Sequence, residues 1–211
     1  MKIDRPKITP ELSSKNFHDI FYDDDSTLEM CIISDSVFEN EVVDRVRLYN
    51  AVIKNCKFSN TDFNKIDITD VRFENCDLSN VNLGNSSIHR VEFKNSKLTG
   101  ANFSDSSLGN VRFENSVLNL AIFGNSKLEK VIFNESFLQS ADFYDCKLKK
   151  VDFDKCDLEG ANFNQTSLKG IDISSSTFGA LSVSIEDLRG CKVSEYQAIQ
   201  FATLMGLIIK D

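Results

Sequence analysis

The sequence has few of the features that membrane segments, secretion signals and metal centres require. No apolar run approaches the roughly 18 residues that cross a bilayer, and residues 1–6 contain no apolar stretch typical of a signal peptide. The two histidines are His18 and His89, and no two cysteines are separated by two residues, so a zinc site is not expected. We therefore expect a cytoplasmic protein with no cofactor and no membrane association.

Residue sets that perform catalysis are also missing. The sequence contains no phosphate-binding loop, no nucleophile with a base and an orienting group, and no paired carboxylates in a plausible cleft. The formal net charge of -8 opposes general binding to DNA or to anionic membranes. The sequence thus predicts a protein that is not an enzyme and does not bind nucleic acid directly.

What the sequence does contain is a large apolar residue at every fifth position from Leu28 to Val193. A second column, two residues earlier, is mostly small or thiol-bearing, and the other three positions are mostly polar. A period of five matches neither the 3.6 of a helix nor the 2 of a strand. It is typical of a coil that turns a corner every five residues, with two side chains inside and three outside.

The longer period of the sequence gives the number of sides of this coil. Val-x-Phe recurs every twenty residues from Val71 to Phe153, and Ala-x-Phe does so from Ala101 to Phe163. One turn is therefore four pentapeptides, with Phe on two opposite walls and Leu or Ile on the other two. Adjacent turns should pair like strands about 4.8 Å apart, so about eight turns form a rod roughly 40 Å long. We predict an all-β, right-handed quadrilateral β-helix. The alternative, a sandwich or barrel of alternating strands, would drift out of a strict five-residue period.

The cysteines fit the same coil. All six, Cys31, Cys56, Cys76, Cys146, Cys156 and Cys191, fall in the small inward column. We expect them to be buried small residues in a reducing compartment rather than disulfide partners.

Three segments are expected along the chain. Residues 1–25 break the five-residue register, include Pro6 and Pro10, and predict an irregular N-terminal cap over the open end of the coil. Residues 26–193 form the coil without any inserted loop. In residues 194–211, Ser194 and Gln197 predict a capping box that begins a short helix, about 195–205, which Gly206 ends.

The C-terminal segment carries more apolar side chains than one end of a single coil can easily bury. We expect a homodimer joined two-fold at this end; a cap on a monomer is the alternative. The expected interface residues are Tyr196, Ile199, Phe201, Leu204, Met205 and Leu207.

Sorting the outward residues by the twenty-residue period gives one basic and one acidic wall. The wall that carries Leu108, Leu128 and Leu148 is rich in Lys and Arg, whereas its neighbour, with Phe103 and Phe143, has neither after Lys65. The candidate binding residues on this acidic wall are Asn102, Asp105, Asn125, Asp142, Tyr144 and Asp145. A merely solvated face is the alternative, because Asn and Asp also suit tight corners.

Two resemblances add to this interpretation. Pentapeptides such as Ala101-Asn102-Phe103 and Ala141-Asp142-Phe143 resemble those of the pentapeptide-repeat family, over about four-fifths of the chain. Within that family, residues 165–172, Gln197-Ala198-Ile199 and Gly206-Leu207-Ile208 resemble the Qnr quinolone-resistance proteins, and most of all their Gram-positive type.

The Qnr resemblance implies a dimeric rod that binds DNA gyrase and topoisomerase IV, resembles B-form DNA and shields the drug-poisoned cleavage complex. The projecting loops that matter in Gram-negative members have no counterpart between residues 26 and 193. Duplex DNA carries roughly 24 charges over 40 Å, far more than the acidic wall, so mimicry would depend on shape with Asp105, Asp142 and Asp145 as sparse charges. The alternative function is a structural or scaffold solenoid that binds another protein partner.

Overall fold

The computed structural model describes residues 1–22, 25–202 and 206–210, which form a parallel β-solenoid followed by a short helix. A two-residue strand is followed by seven strands of eight residues at twenty-residue intervals, paired in chain order. The strands are β1 (Ser13–Ser14), β2 (Thr27–Ser34), β3 (Arg47–Lys54), β4 (Asp67–Glu74), β5 (Ser87–Lys94), β6 (Ser107–Glu114), β7 (Lys127–Asn134) and β8 (Lys147–Asp154). The predicted β-helix is confirmed.

The register of the strands defines four walls. Seven of the eight residues in each of β3 to β7 pair with the residue twenty positions later, as Val71 does with Val91; the unpaired one is the corner residue, such as Asp70. In chain order, the walls have central residues Leu48, Ile68, Ile88, Leu108, Leu128 and Leu148 (wall A); Ile53, Phe73, Phe93, Phe113, Phe133 and Phe153 (wall B); Phe58, Leu78, Leu98, Leu118, Leu138 and Leu158 (wall C); and Phe63, Leu83, Phe103, Phe123, Phe143 and Phe163 (wall D). Each eight-residue strand covers walls A and B, whereas walls C and D pair through isolated bridges such as Asp62↔Asn82 and Lys97↔Val117.

Two columns of stacked phenylalanines fill the core, as the sequence predicts. On wall B, the rings from Phe93 to Phe153 stack at 5.0 Å with interplanar angles of 4° or 5°. On wall D, the rings from Phe103 to Phe163 stack at 4.8 or 4.9 Å. Across the axis the two columns meet edge to face, as for Phe143 and Phe153 at 5.7 Å and 90°. Both arrangements suit the quadrupole of an aromatic ring.

The corners between walls explain why the sequence is rich in asparagine. The last residue of nearly every pentapeptide has a positive φ, for example Asn55 (53°), Asn115 (49°) and Asn125 (61°). This left-handed conformation is disfavoured for most side chains, but Asn and Gly tolerate it. Each corner therefore needs a residue of this kind every five positions.

The N-terminal residues lie in two places. A 3-10 helix, Phe17–Tyr22, covers the first end of the coil with Phe17 and Ile20 buried, and the Phe17 ring is 4.8 Å from those of Phe38 and Phe58. Residues 1–11, which we call the N-terminal arm, instead run along the side of the rod. The arm's backbone N–H groups donate to side-chain oxygens at the corner between walls A and B: Asp4 to Asn110 (3.1 Å), Lys7 to Asp70 (2.8 Å) and Thr9 to Asn50 (2.9 Å). The expectation of a cap on the coil's end does not describe residues 1–11.

The C-terminal helix α1 (Glu195–Ala202) begins with the predicted capping box. The Ser194 N–H donates to Gln197 Oε1 at 2.9 Å, and the Gln197 N–H donates to Ser194 Oγ at 3.3 Å. Gln197 Nε2 also donates to the carbonyl of Ile173 at 2.9 Å, which fixes the helix on the last turns of the coil. Gly206 has a φ of 71°, and the predicted helical residues 203–205 lie outside the described residues. No helix in the described part of the chain is long and apolar enough to cross a membrane.

Candidate functional site

Wall D carries a ladder of amide and carboxylate side chains. Asn82 Nδ2 donates to Asp62 Oδ1 at 2.9 Å, Asn102 Nδ2 donates to Asn82 Oδ1 at 3.0 Å, and farther along Asn162 Nδ2 donates to Asp142 Oδ1 at 2.8 Å. Asp142 Oδ1 also accepts the Tyr144 N–H, at 3.1 Å. Asn102 and Asp142 therefore stabilise the wall itself, besides any role in binding.

The six residues that the sequence predicts as a binding site lie on three consecutive turns of wall D or at its corner with wall A. Asp105, Asn125 and Asp145 are exposed corner residues with φ of 57°, 61° and 50°. Tyr144 is exposed beside them, whereas Asn102 and Asp142 are half-buried in the ladder. The structure thus brings the predicted residues together, and their exposed carboxylates belong to Asp105 and Asp145.

Wall A is basic and its neighbour, wall D, is acidic. Part of the positive charge of wall A is neutralised by ion pairs. Lys149 Nζ lies 2.7 Å from Glu129 Oε1, and this hydrogen bond lowers the pKa of Glu129. Lys130 Nζ lies 3.8 Å from Asp4 of the N-terminal arm. From residue 81 to residue 165, wall D has no Lys or Arg. The acidic character of wall D is therefore uncompensated on the wall itself.

Sequence reasoning missed an apolar surface at the corner between walls C and D. We call it the corner patch; it consists of Val117, Leu120, Ile122 and Phe137. Leu120 is 58% exposed, Phe137 is 52% exposed and Ile122 is also exposed, whereas Val117 is half-buried and bridges to Phe137. The sequence signal was available, because apolar residues here occupy outward columns that are mostly polar in other turns.

The interior of the coil is closely filled by side chains. The apolar cavity bordered by Phe17, Leu48 and Phe73 has a volume of about 10 Å³, which a single water would fill. Burial raises the pKa of the Cys31 thiol to about 11 and the pKa values of Cys146 and Cys156 to about 12. These thiols are uncharged at neutral pH, and those of Cys146 and Cys156 donate to backbone carbonyls inside the coil, so all three are poor nucleophiles. No group of His, Cys, Asp or Glu in the described ranges is arranged to hold a metal ion.

The C-terminal end presents a second set of predicted residues. Tyr196, Ile199 and Leu207 are exposed. Phe201 instead packs against its own coil, with its ring 5.3 Å from that of Phe178. Leu204 and Met205 lie outside the described residues.

Comparisons with known proteins agree with this geometry. A family profile described as "Pentapeptide repeat region" matches residues 47–123 and 86–163, which together cover more than half of the chain. A search of curated proteins found no match.

Among solved structures, two trypsin-treated variants of QnrB1, a plasmid-mediated fluoroquinolone resistance protein, are each 24% identical to this chain. Their TM-scores are 0.60 and 0.59; the alignments cover 85% of this chain and 92% and 90% of theirs. Full-length QnrB1 is 19% identical, with 86% of this chain and 100% of its own covered and a TM-score of 0.46. The likeness to the first two shows that the fold is shared.

Proposed function

Because this chain belongs to the pentapeptide-repeat family, we propose that it is a non-catalytic cytoplasmic protein that binds type II topoisomerases, DNA gyrase or topoisomerase IV. Binding would protect these enzymes from fluoroquinolones. The Qnr-like stretches of the sequence and the fold shared with QnrB1 support this proposal.

The observation that carries the proposal is the uncompensated acidic surface of wall D. Asp105 lies on one turn, and Asp142 and Asp145 lie together two turns farther along, on a wall that has no Lys or Arg from residue 81 to residue 165. A surface of this kind fits a positively charged groove that normally holds DNA.

The charge density of wall D determines how closely the protein can imitate duplex DNA. Asp105 and Asp145 are two turns apart, or about 10 Å, over which duplex DNA carries about six phosphate charges. Wall D has three carboxylates there. Binding would therefore depend on the shape of the rod as much as on its charge. By occupying the DNA groove, the protein would release or exclude the DNA that the drug traps.

The proposed assembly is a homodimer joined through the C-terminal helices. Tyr196, Ile199 and Leu207 are exposed at that end, and two rods end to end would span roughly 80 Å. Sedimentation velocity of the Tyr196→Glu, Ile199→Glu double variant should give a monomer of 23.8 kDa. Val42→Glu, which changes an exposed residue near the other end of the coil, should remain a dimer. A wild-type monomer would overturn the proposed assembly.

The test is a gyrase supercoiling assay with ciprofloxacin and increasing amounts of the purified protein. We expect supercoiling to return with the wild-type protein and to be lost with the Asp105→Asn, Asp142→Asn, Asp145→Asn variant, whose amides preserve the ladder and the corners. Asp172→Asn is the matched control, because Asp172 Oδ1 accepts the Ser174 N–H at 3.0 Å in the same kind of turn on wall B. Equal protection by all three proteins would contradict the assignment to wall D.

A scaffold that binds another protein is the second candidate. The low charge density of wall D and the basic residues of neighbouring wall A favour it. No effect of the wild-type protein on either topoisomerase, with or without drug, would select this function over the first.

A further inference from the structure

The corner patch departs from the pattern that most turns of the coil follow; Met30, Val37 and Val42 of the first turn are also exposed apolar residues. Leu120 occupies a corner with a φ of 61°, and the same corner of earlier turns is occupied by Asn40, Asn60, Asn80 and Gly100. Among the described non-glycine residues with positive φ, only Met30 and Leu120 are apolar. Leucine is disfavoured there by its backbone conformation and is exposed to water as well, so the fold gains nothing from it.

Ile122 and Phe137 depart from the pattern in the same way. Ile122 stands between Asn102 and Asp142 in the wall D ladder, where its side chain can neither donate nor accept a hydrogen bond. Phe137 bridges to Asp157 on one side and to Val117 on the other, in a column that has Lys57, Asp77 and Lys97 in earlier turns. Three adjacent departures from the local pattern are typical of a surface that serves function rather than folding.

The chain does not cover this patch, although it covers other outward apolar residues. Ile132 and Val52 occupy outward positions of wall B and are buried, with exposures of 3% and 8%, on the side where the N-terminal arm lies. The corner patch lies at the diagonally opposite corner. Among the described residues, the 3-10 helix and α1 lie at the ends of the coil, so no element of the chain shields the patch.

The rim of the patch is mainly acidic. Asp157 and Glu159 border it on wall C, and Asp142 borders it on wall D. Lys97, which bridges to Val117, is paired with Asp77 at 3.8 Å. In the described residues, wall C has no Lys or Arg after Lys97. Lys155, at the corner with wall B, is paired with Glu135 at 3.2 Å. The complementary surface must therefore be apolar at its centre and basic around it.

We propose that the corner patch is the docking centre for the topoisomerase, which would present an apolar side chain flanked by Lys or Arg. This inference rests on the proposed function and extends its site from wall D around the corner to wall C. It also changes the chemistry of the complex. Because apolar burial is not screened by salt, binding should retain a large part of its strength at high salt, unlike a complex that only imitates DNA.

The experiment measures the affinity of the intact protein for purified gyrase and for purified topoisomerase IV by biolayer interferometry at low and high salt. The test variant is Leu120→Asn, Ile122→Asn, Phe137→Thr, in which each new residue is taken from the same column of another turn: Asn80, Asn102 and Thr177. Met30→Asn is the matched control, because Met30 is 51% exposed at a corner with a φ of 45° and lies far from the patch.

We expect the triple variant to bind at least about tenfold more weakly at both salt concentrations, with unchanged circular dichroism and melting temperature, and Met30→Asn to bind like the wild type. Should the triple variant unfold, Leu120→Asn alone decides, since it restores the usual corner residue. If the triple patch variant binds as tightly as the wild type, and the Asp105→Asn, Asp142→Asn, Asp145→Asn variant binds more weakly, the inference about the patch is overturned and the proposed function stands. If the triple variant differs from the wild type in oligomeric state, the patch is an interface between two copies of this chain, and the inference is overturned. Failure of the wild-type protein to bind either enzyme would overturn the proposed function and this inference together.

Discussion

At the scale of single residues, the corners decide which amino acids the coil accepts. Asparagine recurs at the last position of the pentapeptide because its backbone tolerates a positive φ, as at Asn115 (49°). Part of the amide-rich character of wall D is therefore a backbone requirement, as at Asn125, and carries no information about binding.

Replacing a corner asparagine by a β-branched residue should test this requirement. Asn115→Ile should lower the free energy of unfolding by about 1–2 kcal/mol, because isoleucine is strongly disfavoured at positive φ. Asn115→Gly, which removes the side chain but keeps the backbone freedom, should stay close to the wild type. The measurement is urea unfolding followed by circular dichroism. Equal destabilisation by both variants would mean that the side chain, and not φ, is what matters.

A second residue-scale feature is the ion pair between Asp70 and Arg90 at the corner between walls A and B. Arg90 Nε and Nη2 donate to the two carboxylate oxygens at 2.6 and 2.7 Å. The Arg90 hydrogen bond holds the pKa of Asp70 below its ordinary value of 3.8. A carboxylate with a lowered pKa stabilises the fold above its unfolded pKa, and this contribution disappears as the pH falls through the folded pKa.

Asp70→Asn should therefore be destabilising only when Asp70 is ionised. We expect the variant to lose about 1 kcal/mol at pH 7, discounted for partial exposure. The difference from the wild type should shrink as the pH falls below 3.8 and vanish in strong acid. Urea unfolding at pH 7 and in acid measures the difference in free energy of unfolding between the variant and the wild type. If this difference does not change with pH, the ion pair is not its cause.

At the scale of elements, the N-terminal arm is held mainly by corner side chains that accept its backbone N–H groups. Asn110 accepts the Asp4 N–H at 3.1 Å and is itself buried. Asn115, at the next corner of the same turn, has a similar φ but lies on the far side of wall B from the arm. The two residues differ in their contact with the arm and share their backbone conformation.

Asn110→Ala should loosen the arm, whereas Asn115→Ala should not. Losing one hydrogen bond of about 1 kcal/mol should speed trypsin cleavage after Lys2 and Lys7 by about fivefold. The control, Asn115→Ala, also places an alanine at a corner with positive φ, but it does not contact the arm. Mass spectrometry of timed digests measures the rates; equal rates for the two variants would show that other contacts hold the arm.

At the scale of the whole molecule, the coil is a one-dimensional repeat in which each turn contacts its neighbours. Pairing between residues twenty positions apart means that a whole turn can be removed without changing any wall. Removing a single pentapeptide instead moves each following wall by one side. Removal of residues 87–91 would place Phe103 over Leu78 and would end the stacking of Phe73 on Phe93, so the turns before and after the deletion would no longer match.

Deletion of residues 87–106 should therefore give a shorter, cooperatively folded rod, because Ser107 takes the place of Ser87. Deletion of residues 87–91 should give a protein that unfolds at much lower urea concentration or does not fold. Circular dichroism and urea unfolding compare the two. Comparable stability would mean that the walls are interchangeable and that the phenylalanine columns do not define the register.

The sequence by itself determined the coil, because its signal is local and repeated. The positions of Phe103, Leu108 and Phe113 within a twenty-residue period fix the walls, and the capping box of Ser194 and Gln197 fixes the start of α1. Sorting by the same period was enough to place Asp105, Asp142 and Asp145 on one wall. Each of these inferences needs only a residue's position in the repeat.

Only the tertiary structure decided which outward residues are covered. The arm has no repeat, so the sequence did not indicate that it would run beside Asn110 and Asp70. Ile132 and Phe137 are both apolar residues at outward positions, yet one is buried and the other is exposed. The reason is physical: the repeat fixes the direction of a side chain, but its burial depends on a segment that is distant in sequence and packs there through contacts that have no period.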